Sequence, residues 1–579
     1  MPATPLLLEN HSLRSTLVFQ AKAVGLMARR GWHNLLAGPR RFGVGRQLVG
    51  EATVALSESD LWNPDDNARN WLLTAGKVHN LRRAARQLHG LEVPAGALFS
   101  FWAQVGNPNL GRGYVLGREI REGCVVPTIA GGLCQLSNAL YDAALQAGFA
   151  IVERHRHSRI IPGSLAERDR DATVKWNYID LRFRAAAAFR IEVELTADKL
   201  RVAFKGPAPG GPAPARSAAP PLAASTLNDC FSCGNLTCFK HPGRTAAPPA
   251  AATTTYILDE KWPEYEAYVR EAARPQDYLL APWLPLGPLP APQPGWQLGG
   301  LPNCRPLLGA AWLRTGLRRL LGRAGANVFA LSLPLDRRVA QAAARSIPLT
   351  STHVVVSQNL LPFLWETGAL GGRTFDVLMT RLPLQHLHER LDAAHQQHPS
   401  SPTLHDFRAP HTLIDLENQA LTRARQLITP HQEIASLFTH KALKLAWLAP
   451  AMPPARAARG SSILFPASAV GRKGAYEVRR LAEELQLRVV LTGRATEEAG
   501  FWGNVATEWA GANPLANCAL VVYPAYVEHQ PRLLLRALAA GVPVVATPAC
   551  GLPPAAHLTL VPAGDYEALK QAVQAQLGR

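Results

Sequence analysis

The stretch SILFPASAVGRKGAYEVRRLAEELQLRVVLTG, residues 462–493, reads as strand, helix, strand. SILFPAS begins with an apolar run of strand length. AYEVRRLAEELQ places Val478, Leu481 and Leu485 on one helical face, and LRVVLTG is a second strand-like run. Downstream, CALVVYPA repeats the strand pattern, RLLLRALAAG reads as a helix stopping at Gly541, and PVVATPACG as a further strand and loop. Apolar strands separated by helices build a doubly wound parallel sheet. Such sheets bind ligands beyond the carboxyl ends of their strands, which gathers Gly471–Gly474, Gly493, Tyr523–Gln530 and Thr547–Gly551 around one cleft. Arg472 and Lys473 in that cleft suit a diphosphate. A Rossmann-like domain without a ligand is the plain alternative.

Working outward, the chain has 579 residues, 47% of them hydrophobic, enough for several domains with real cores. Two Pro/Ala-rich stretches, GPAPGGPAPARSAAPPLAAS (206–225) and RTAAPPAAATTT (244–255), bury too little apolar surface to offset the entropy of ordering, and read as linkers. The expected organisation is a basic helical segment over 1–60, an α+β domain over 61–205, a linker over 206–227, a Cys/His island over 228–243 and a second linker over 244–255. Two Rossmann-like domains complete it, over 256–446 and 447–579. The Pro-rich stretch Pro282–Pro306 reads as a long surface loop. No fixed-period repeat is present.

The formal net charge is +18. Arg far outnumbers Lys, and no dense basic run is interleaved with aromatics, which argues against nucleic acid as a partner. No apolar run reaches the ~18–20 residues of a membrane span, and the N-terminus lacks the order of a secretory leader, so a cytoplasmic protein is expected. Ser15–Leu36 patterns as a basic amphipathic helix with Leu17, Val18, Ala21, Val24 and Met27 on one side. A docking helix is favoured there over a peripheral membrane contact.

In TIAGGLCQLSNALYDAALQAG, Leu133, Leu136, Leu140 and Ala144 recur at helical spacing, with Gly148 at the stop. Gly131 and Gly132 permit a tight turn, so Cys134 falls at the first turn of the helix, where the dipole favours a thiolate. FAIVERHRHSRI alternates like a strand, putting His155 and His157 on one face. ATVKWNYIDLRFR reads as the next strand, with Asp171 at its start and Asp180 inside it. Cys, then His, then an acid is the order of papain-like and transglutaminase-like thiol enzymes, in which an imidazole activates the thiol and a carboxylate orients the imidazole. Cys134 is then the candidate nucleophile, His157 or His155 its base, Asp171 or Asp180 the orienting acid, and Gln135 an oxyanion donor. A small core cysteine and structural histidines are the competing reading.

The segments FSFWAQVGNP, GRGYVLG, VPTIAGGLCQLSNALYDAAL, GFAIVERHRHS and RDATV resemble, in order and spacing, the VanW family, named for an accessory protein of vancomycin-resistance clusters. The resemblance covers about a hundred residues. It implies a role at the cell envelope, either in chemistry on a cell-wall precursor or in gripping one without reaction.

In the island, Cys230, Cys233, Cys238 and His241 form Cys-x2-Cys-x4-Cys-x2-His, a metal-site spacing. Zinc is the expected occupant, an iron–sulfur cluster the alternative, and a redox dithiol the third reading.

The words FPASAVGRKG, VVLTG and YPAYVEHQPRLLLRALAAGVPVVATPACG resemble the donor domain of family-4 glycosyltransferases of GT-B fold. That resemblance implies a nucleotide-sugar substrate, with Arg472 and Lys473 on its diphosphate and Glu528 on its sugar. The family carries a second acid eight positions on, where this chain has Arg536, a side chain that cannot accept bonds from ribose hydroxyls. HVVVSQNLLPFLW, FDVLMTRLPL and ARQLITPHQEIASLF fit the preceding acceptor domain. The combined expectation is a multidomain α/β protein that moves a sugar onto an envelope glycan or its precursor. The alternatives are a non-catalytic binding protein with a decayed transferase half, and a thiol hydrolase or transpeptidase working through Cys134.

Overall fold

The computed structural model describes residues 38–63, 68–121, 124–157, 165–207, 252–282, 303–307, 328–406, 408–450, 462–515 and 518–578, with shorter stretches within 21–34 and at 296, 298, 313, 314 and 317. The chain forms two compact units, one built on Met1–Ala252 and the other beginning at Thr253. No helix among the described residues is long and apolar enough to cross a membrane. The metal-site spacing Cys230, Cys233, Cys238 and His241 lies outside the described residues, and among those described no cluster of His, Cys, Asp or Glu is arranged to hold a metal.

The first unit is α+β. Strands β1 (Thr53–Asp60), β2 (Glu92–Val93), β8 (Phe189–Leu195) and β9 (Lys199–Lys205) form a sheet in the order β1-β9-β8-β2, antiparallel throughout, with Ser57 opposite Val202 and Val193 opposite Val202 from the other side. A smaller sheet runs β3 (Leu98–Ser100), β7 (Arg182–Arg184), β6 (Ala150–Glu153), and β4 (Leu116–Arg121) pairs with β5 (Cys124–Ile129) as a hairpin. Helices α1 (Ala68–Leu88) and α3 (Cys134–Gln146) sink Val78, Leu81, Leu88, Leu136 and Leu140 into the shared core, and the short α2 (Phe101–Val105) caps it. Phe149, Phe183, Phe189 and Phe204 form its aromatic centre.

β1 lies inside the 1–60 stretch read as helical. It buries Ala55 and Ser57 while exposing Leu56, so hydropathy does not mark its inner face. Residues 27–32 are helical and dock on the same unit: Arg30 pairs with Glu153, Asn177 Nδ2 donates to the Met27 carbonyl (3.2 Å) and Arg182 to Asn34 (2.6 Å). Two strands read from sequence are shorter than expected. β6 ends at Glu153, and of ATVKWNYIDLRFR only Arg182–Arg184 is extended in a sheet. Asn177 in the left-handed region (φ 52°) and a local bridge between Lys175 and Ile179 turn the chain instead.

The second unit holds two parallel sheets. In the first, β10 (Thr253–Ile257), β11 (Tyr278–Ala281), β12 (Asn303–Pro306), β13 (Ser351–Ser357), β14 (Thr374–Leu378), β15 (Gln426–Thr429) and β16 (Ala442–Lys444) stand in the order 12-11-10-13-14-15-16. In the second, β17 (Ser462–Phe465), β18 (Arg488–Leu491), β19 (Thr507–Trp509), β20 (Leu520–Tyr523), β21 (Val544–Ala546) and β22 (Leu558–Leu560) stand in the order 19-18-17-20-21-22. The second is the 3-2-1-4-5-6 order of a dinucleotide-type doubly wound sheet, and the first is the same order with a seventh strand, β16, added at its edge. Two such domains in tandem are the GT-B architecture. β10 takes in Thr253, inside the stretch read as linker. β12 ends the Pro-rich stretch read as loop, its Pro306 tolerated because the strand is at a sheet edge.

Candidate functional site

Two places merit a functional account. The first is the start of α3. The chain approaches it through Ala130, at φ 62°, and Gly132, at φ 98°, both left-handed. Gly117 on β4 and Gly131 lie back to back: a Cβ on Gly131 would stand 2.5 Å from the Gly117 carbonyl oxygen, and one on Gly117 would stand 2.3 Å from that of Gly131. Buried Asn80, on α1, ties the turn in place. Its Nδ2 donates to the carbonyls of Gly131 and Val115 (3.0 Å each) and its Oδ1 accepts from the Val115 amide (2.9 Å). The turn delivers Cys134 as the first residue of α3, at the positive end of the helix dipole.

The segment that passes this helix start is gripped by α3 itself. Ser137 Oγ donates to the Ala172 carbonyl (2.5 Å), and Asn138 Oδ1 accepts from the Ala172 amide (2.7 Å). Asp171 and Thr173 on either side are thereby set against the thiol. Cys134 Sγ lies 3.6 Å from Thr173 Oγ1 and 3.7 Å from the Val174 carbonyl. Asp171, buried, accepts from His157 twice, at ring Nδ1 (2.5 Å) and at the backbone amide (2.6 Å). Nδ1 being committed, the imidazole's other nitrogen is the one left to act on the thiol. Burial opposes ionisation of that thiol, but the influence of His157, with smaller help from Val174 and Thr173, holds it below the ordinary thiol range. Burial likewise opposes protonation of His157, yet Asp171 and then Cys134 raise it to about 10. The array therefore favours a thiolate–imidazolium pair.

Of the candidates, Cys134, His157 and Asp171 come together. His155 does not: half its side chain is exposed, and its Nε2 faces Glu153 Oε1 at 3.3 Å. Asp180 does not either. Its carboxylate is spent on Ser100 Oγ (2.6 Å), the amides of Trp102 and Leu181, and Arg182 (2.8 Å), a structural knot. The Gln135 amide binds Ser59 Oγ (2.9 Å) and the Asp60 carbonyl (2.8 Å), so it is not an oxyanion donor. Sequence reading missed Asn80 and Asn138, whose signal is a buried amide on an otherwise apolar helical face.

The second place is the switch point of the last sheet, between the carboxyl ends of β17 and β20, where strand order reverses. The turn 471–474 leaves β17 here. Gly474 is left-handed (φ 81°), and a Cβ on it would lie 2.4 Å from the Pro524 carbonyl oxygen. Lys473 Nζ donates to Glu528 Oε2 (2.9 Å) and to the Val527 carbonyl (3.0 Å). Glu528 also accepts from Tyr523 OH (2.5 Å) and the Gln530 amide (2.7 Å). Burial opposes its charge, but Lys473 first and Tyr523 next bring it down to about 2. Arg472 turns aside and faces Asp406 at 3.6 Å, while the Gly471 amide donates to Thr403 Oγ1 (3.1 Å) and Glu497. Arg536 sits half-buried in the last turn of the helix Arg532–Ala539. At the switch point of the other sheet, Asp259 beyond β10 accepts from Arg314 and Asn359, a cluster that sequence reading missed.

Residues 76–205 match the family described as VanW like protein, and residues 434–578 match glycosyl transferases group 1. The chain thus carries a VanW-like domain and a group 1 glycosyltransferase domain. Vancomycin B-type resistance protein VanW of Enterococcus faecalis is 30% identical over 165 residues, 27% of this chain and 59% of that protein. The uncharacterized protein YoaR of Bacillus subtilis is 35% identical over 108 residues, 19% of this chain and 35% of that protein. The chain thus spans less than two thirds of either relative. Among solved structures, sucrose-phosphate synthase from Thermosynechococcus elongatus superposes with a TM-score of 0.35 at 16% identity, over 56% of this chain and 90% of that one. HepE of Anabaena, solved with UDP and glucose, superposes with a TM-score of 0.33 at 13% identity, over 56% and 89%.

Proposed function

We propose that the second unit transfers a sugar from a nucleotide-sugar donor to an envelope glycan or glycan precursor, on the cytoplasmic side where such donors are made. The observation that carries the reading is the Glu528–Lys473 pair at the switch point of a sheet within a group 1 glycosyltransferase domain. An ammonium there neutralises the charge that grows on a departing diphosphate, and a carboxylate that stays ionised accepts bonds from sugar hydroxyls. The envelope part of the reading is supported by the VanW-like domain, whose relative is named for vancomycin resistance. Fusing the two domains raises the local concentration of whatever one binds near the other.

Titration calorimetry of the full chain against UDP, GDP, ADP and their sugars tests this. Binding of one of them, weakened about tenfold or more in Lys473→Ala, is the expected result. No heat with any of them, from a protein shown to be folded by circular dichroism, overturns it. That outcome favours a non-catalytic binding protein, a reading supported by the protein's own groups on the diphosphate turn: Asp406 on Arg472, and Thr403 with Glu497 on the Gly471 amide.

A further inference from the structure

We propose that Cys134, His157 and Asp171 form an acyl-transfer site that cleaves an amide or ester through a thioester on Cys134, independently of any sugar transfer by the second unit. Three features of the first unit carry the proposal. Asp171 is 2% exposed, and a carboxylate so placed is costly unless paired. Among the described residues its carboxylate is held by the ring and the backbone amide of one residue, His157. That double hold fixes the ring's plane and leaves its other nitrogen for the thiol, whose ionisation His157 favours. A cysteine serving only as core filler needs neither an oriented imidazole nor a buried acid behind it.

The approach to the cysteine is built for exposure rather than for filling. The left-handed Ala130 and the Gly117–Gly131 contact hold a sharp turn that brings the sulfur to the head of a helix, part-exposed, with His157 also reaching solvent. Cys518 and Cys550, both buried, contrast with it. Burial pushes Cys518 up to about 11 and Cys550 to about 12, out of reach of such chemistry.

The step balances with water as the only co-reactant. The thiolate attacks the acyl carbon, and the carbonyl electron pair moves to oxygen beside the helix N-terminus. When the tetrahedral adduct collapses, the carbon–nitrogen or carbon–oxygen bond breaks, and the leaving amine or alcohol takes the proton from the His157 imidazolium. Water then gives a proton to the neutral imidazole and attacks the thioester. Cys134 departs as thiolate, and the acyl group leaves as a carboxylic acid. Asp171 is a positioning residue that keeps the imidazole in register throughout.

The test uses the full chain with 4-nitrophenyl acetate at about pH 7, where an ordinary thiol is mostly protonated. Nitrophenolate release is followed together with peptide mass mapping, which separates Cys134 from the chain's other seven cysteines. The expected result is acetylation of Cys134 about tenfold or more faster than that of N-acetylcysteine, a margin lost in His157→Gln and Asp171→Asn. If Cys134 in the unaltered, folded protein acetylates no faster than N-acetylcysteine, the proposal fails, with no variant needed to show it. It fails equally if His157→Gln leaves the rate unchanged.

Discussion

His157 meets the Asp171 carboxylate at two points, its ring Nδ1 at 2.5 Å and its own backbone amide at 2.6 Å. One carboxylate thus sets both where the residue sits and which ring nitrogen is free. Asp171→Asn keeps the size but removes the charge and one acceptor. The alkylation rate of Cys134 by iodoacetamide at about pH 7 should fall about tenfold or more. Its pH profile should lose the low-pH plateau of a paired thiolate and move toward the ordinary thiol range of about 8.5. A purely structural Asp171 would lower the melting temperature and leave that profile where it was.

The same contact links stability to pH. His157 is raised to about 10 in the folded chain against 6.5 for a free imidazole. Below 6.5 the ring is protonated in both folded and unfolded chains, and its pairing contributes in full. Between 6.5 and about 10 the folded ring keeps a proton that the unfolded ring has released, but Cys134, held below the ordinary thiol range, has released one that the unfolded thiol keeps, so the two offset until the unfolded thiol ionises at about 8.5, and stability falls as pH rises from there to about 10. Urea midpoints of the first unit should decline across that window in the native protein, and the decline should be shallower in His157→Gln. Parallel slopes in the two proteins would refute the linkage.

The parallel sheets were legible because each strand is a short apolar run followed by a helix with one apolar face, as in residues 462–493. The cysteine at a helix start was legible for the same reason, from Leu133, Leu136 and Leu140. The choice between His155 and His157 was not, because alternation puts both on one face. Whether that alternation continues depends on Arg154, whose guanidinium reaches back to the Asp171 carbonyl (2.7 Å), and on the His157 amide leaving the ladder for Asp171. Asp180 was equally ambiguous, since only the fold brings Ser100 and Arg182 to its carboxylate. Long-range hydrogen bonds of this kind leave no periodic trace in sequence.

Gly131→Ala tests the turn that presents the thiol. The added Cβ would stand 2.5 Å from the Gly117 carbonyl oxygen and 3.0 Å from the Arg118 carbonyl carbon, all backbone that cannot swing away. Overpacking of this kind costs about 1–3 kcal/mol. A melting temperature lowered by several degrees is expected, together with slower alkylation of Cys134 as the Asn80 bond to the Gly131 carbonyl stretches. Gly500→Ala is a contrasting substitution: nothing lies within 4 Å of its added Cβ, so the cost there is the left-handed backbone alone (φ 75°). A Gly131→Ala protein no less stable than Gly500→Ala would show that the turn yields.

Glu264, at the start of the helix Pro263–Ala272, is buried and accepts from both terminal nitrogens of Arg532 at 2.7 Å, and from the Leu448 amide at 2.8 Å. The guanidinium lies over the rings of Trp262 and Trp447. Truncating Arg532 strands a buried carboxylate, whose uncompensated charge costs roughly 3–5 kcal/mol when a pair is fully buried. Arg532 is 31% exposed on its side chain, so water reaches it, and a loss of about 2–3 kcal/mol is expected for Arg532→Ala. Arg532→Lys should recover only part of this, because an ammonium cannot bridge both carboxylate oxygens in the plane of a fork. Adding Glu264→Gln to Arg532→Ala should restore stability, since the stranded charge is gone. Urea midpoints followed by circular dichroism report the change. A double variant less stable than Arg532→Ala alone would mean that Glu264 matters for its bond to Leu448 rather than for its charge.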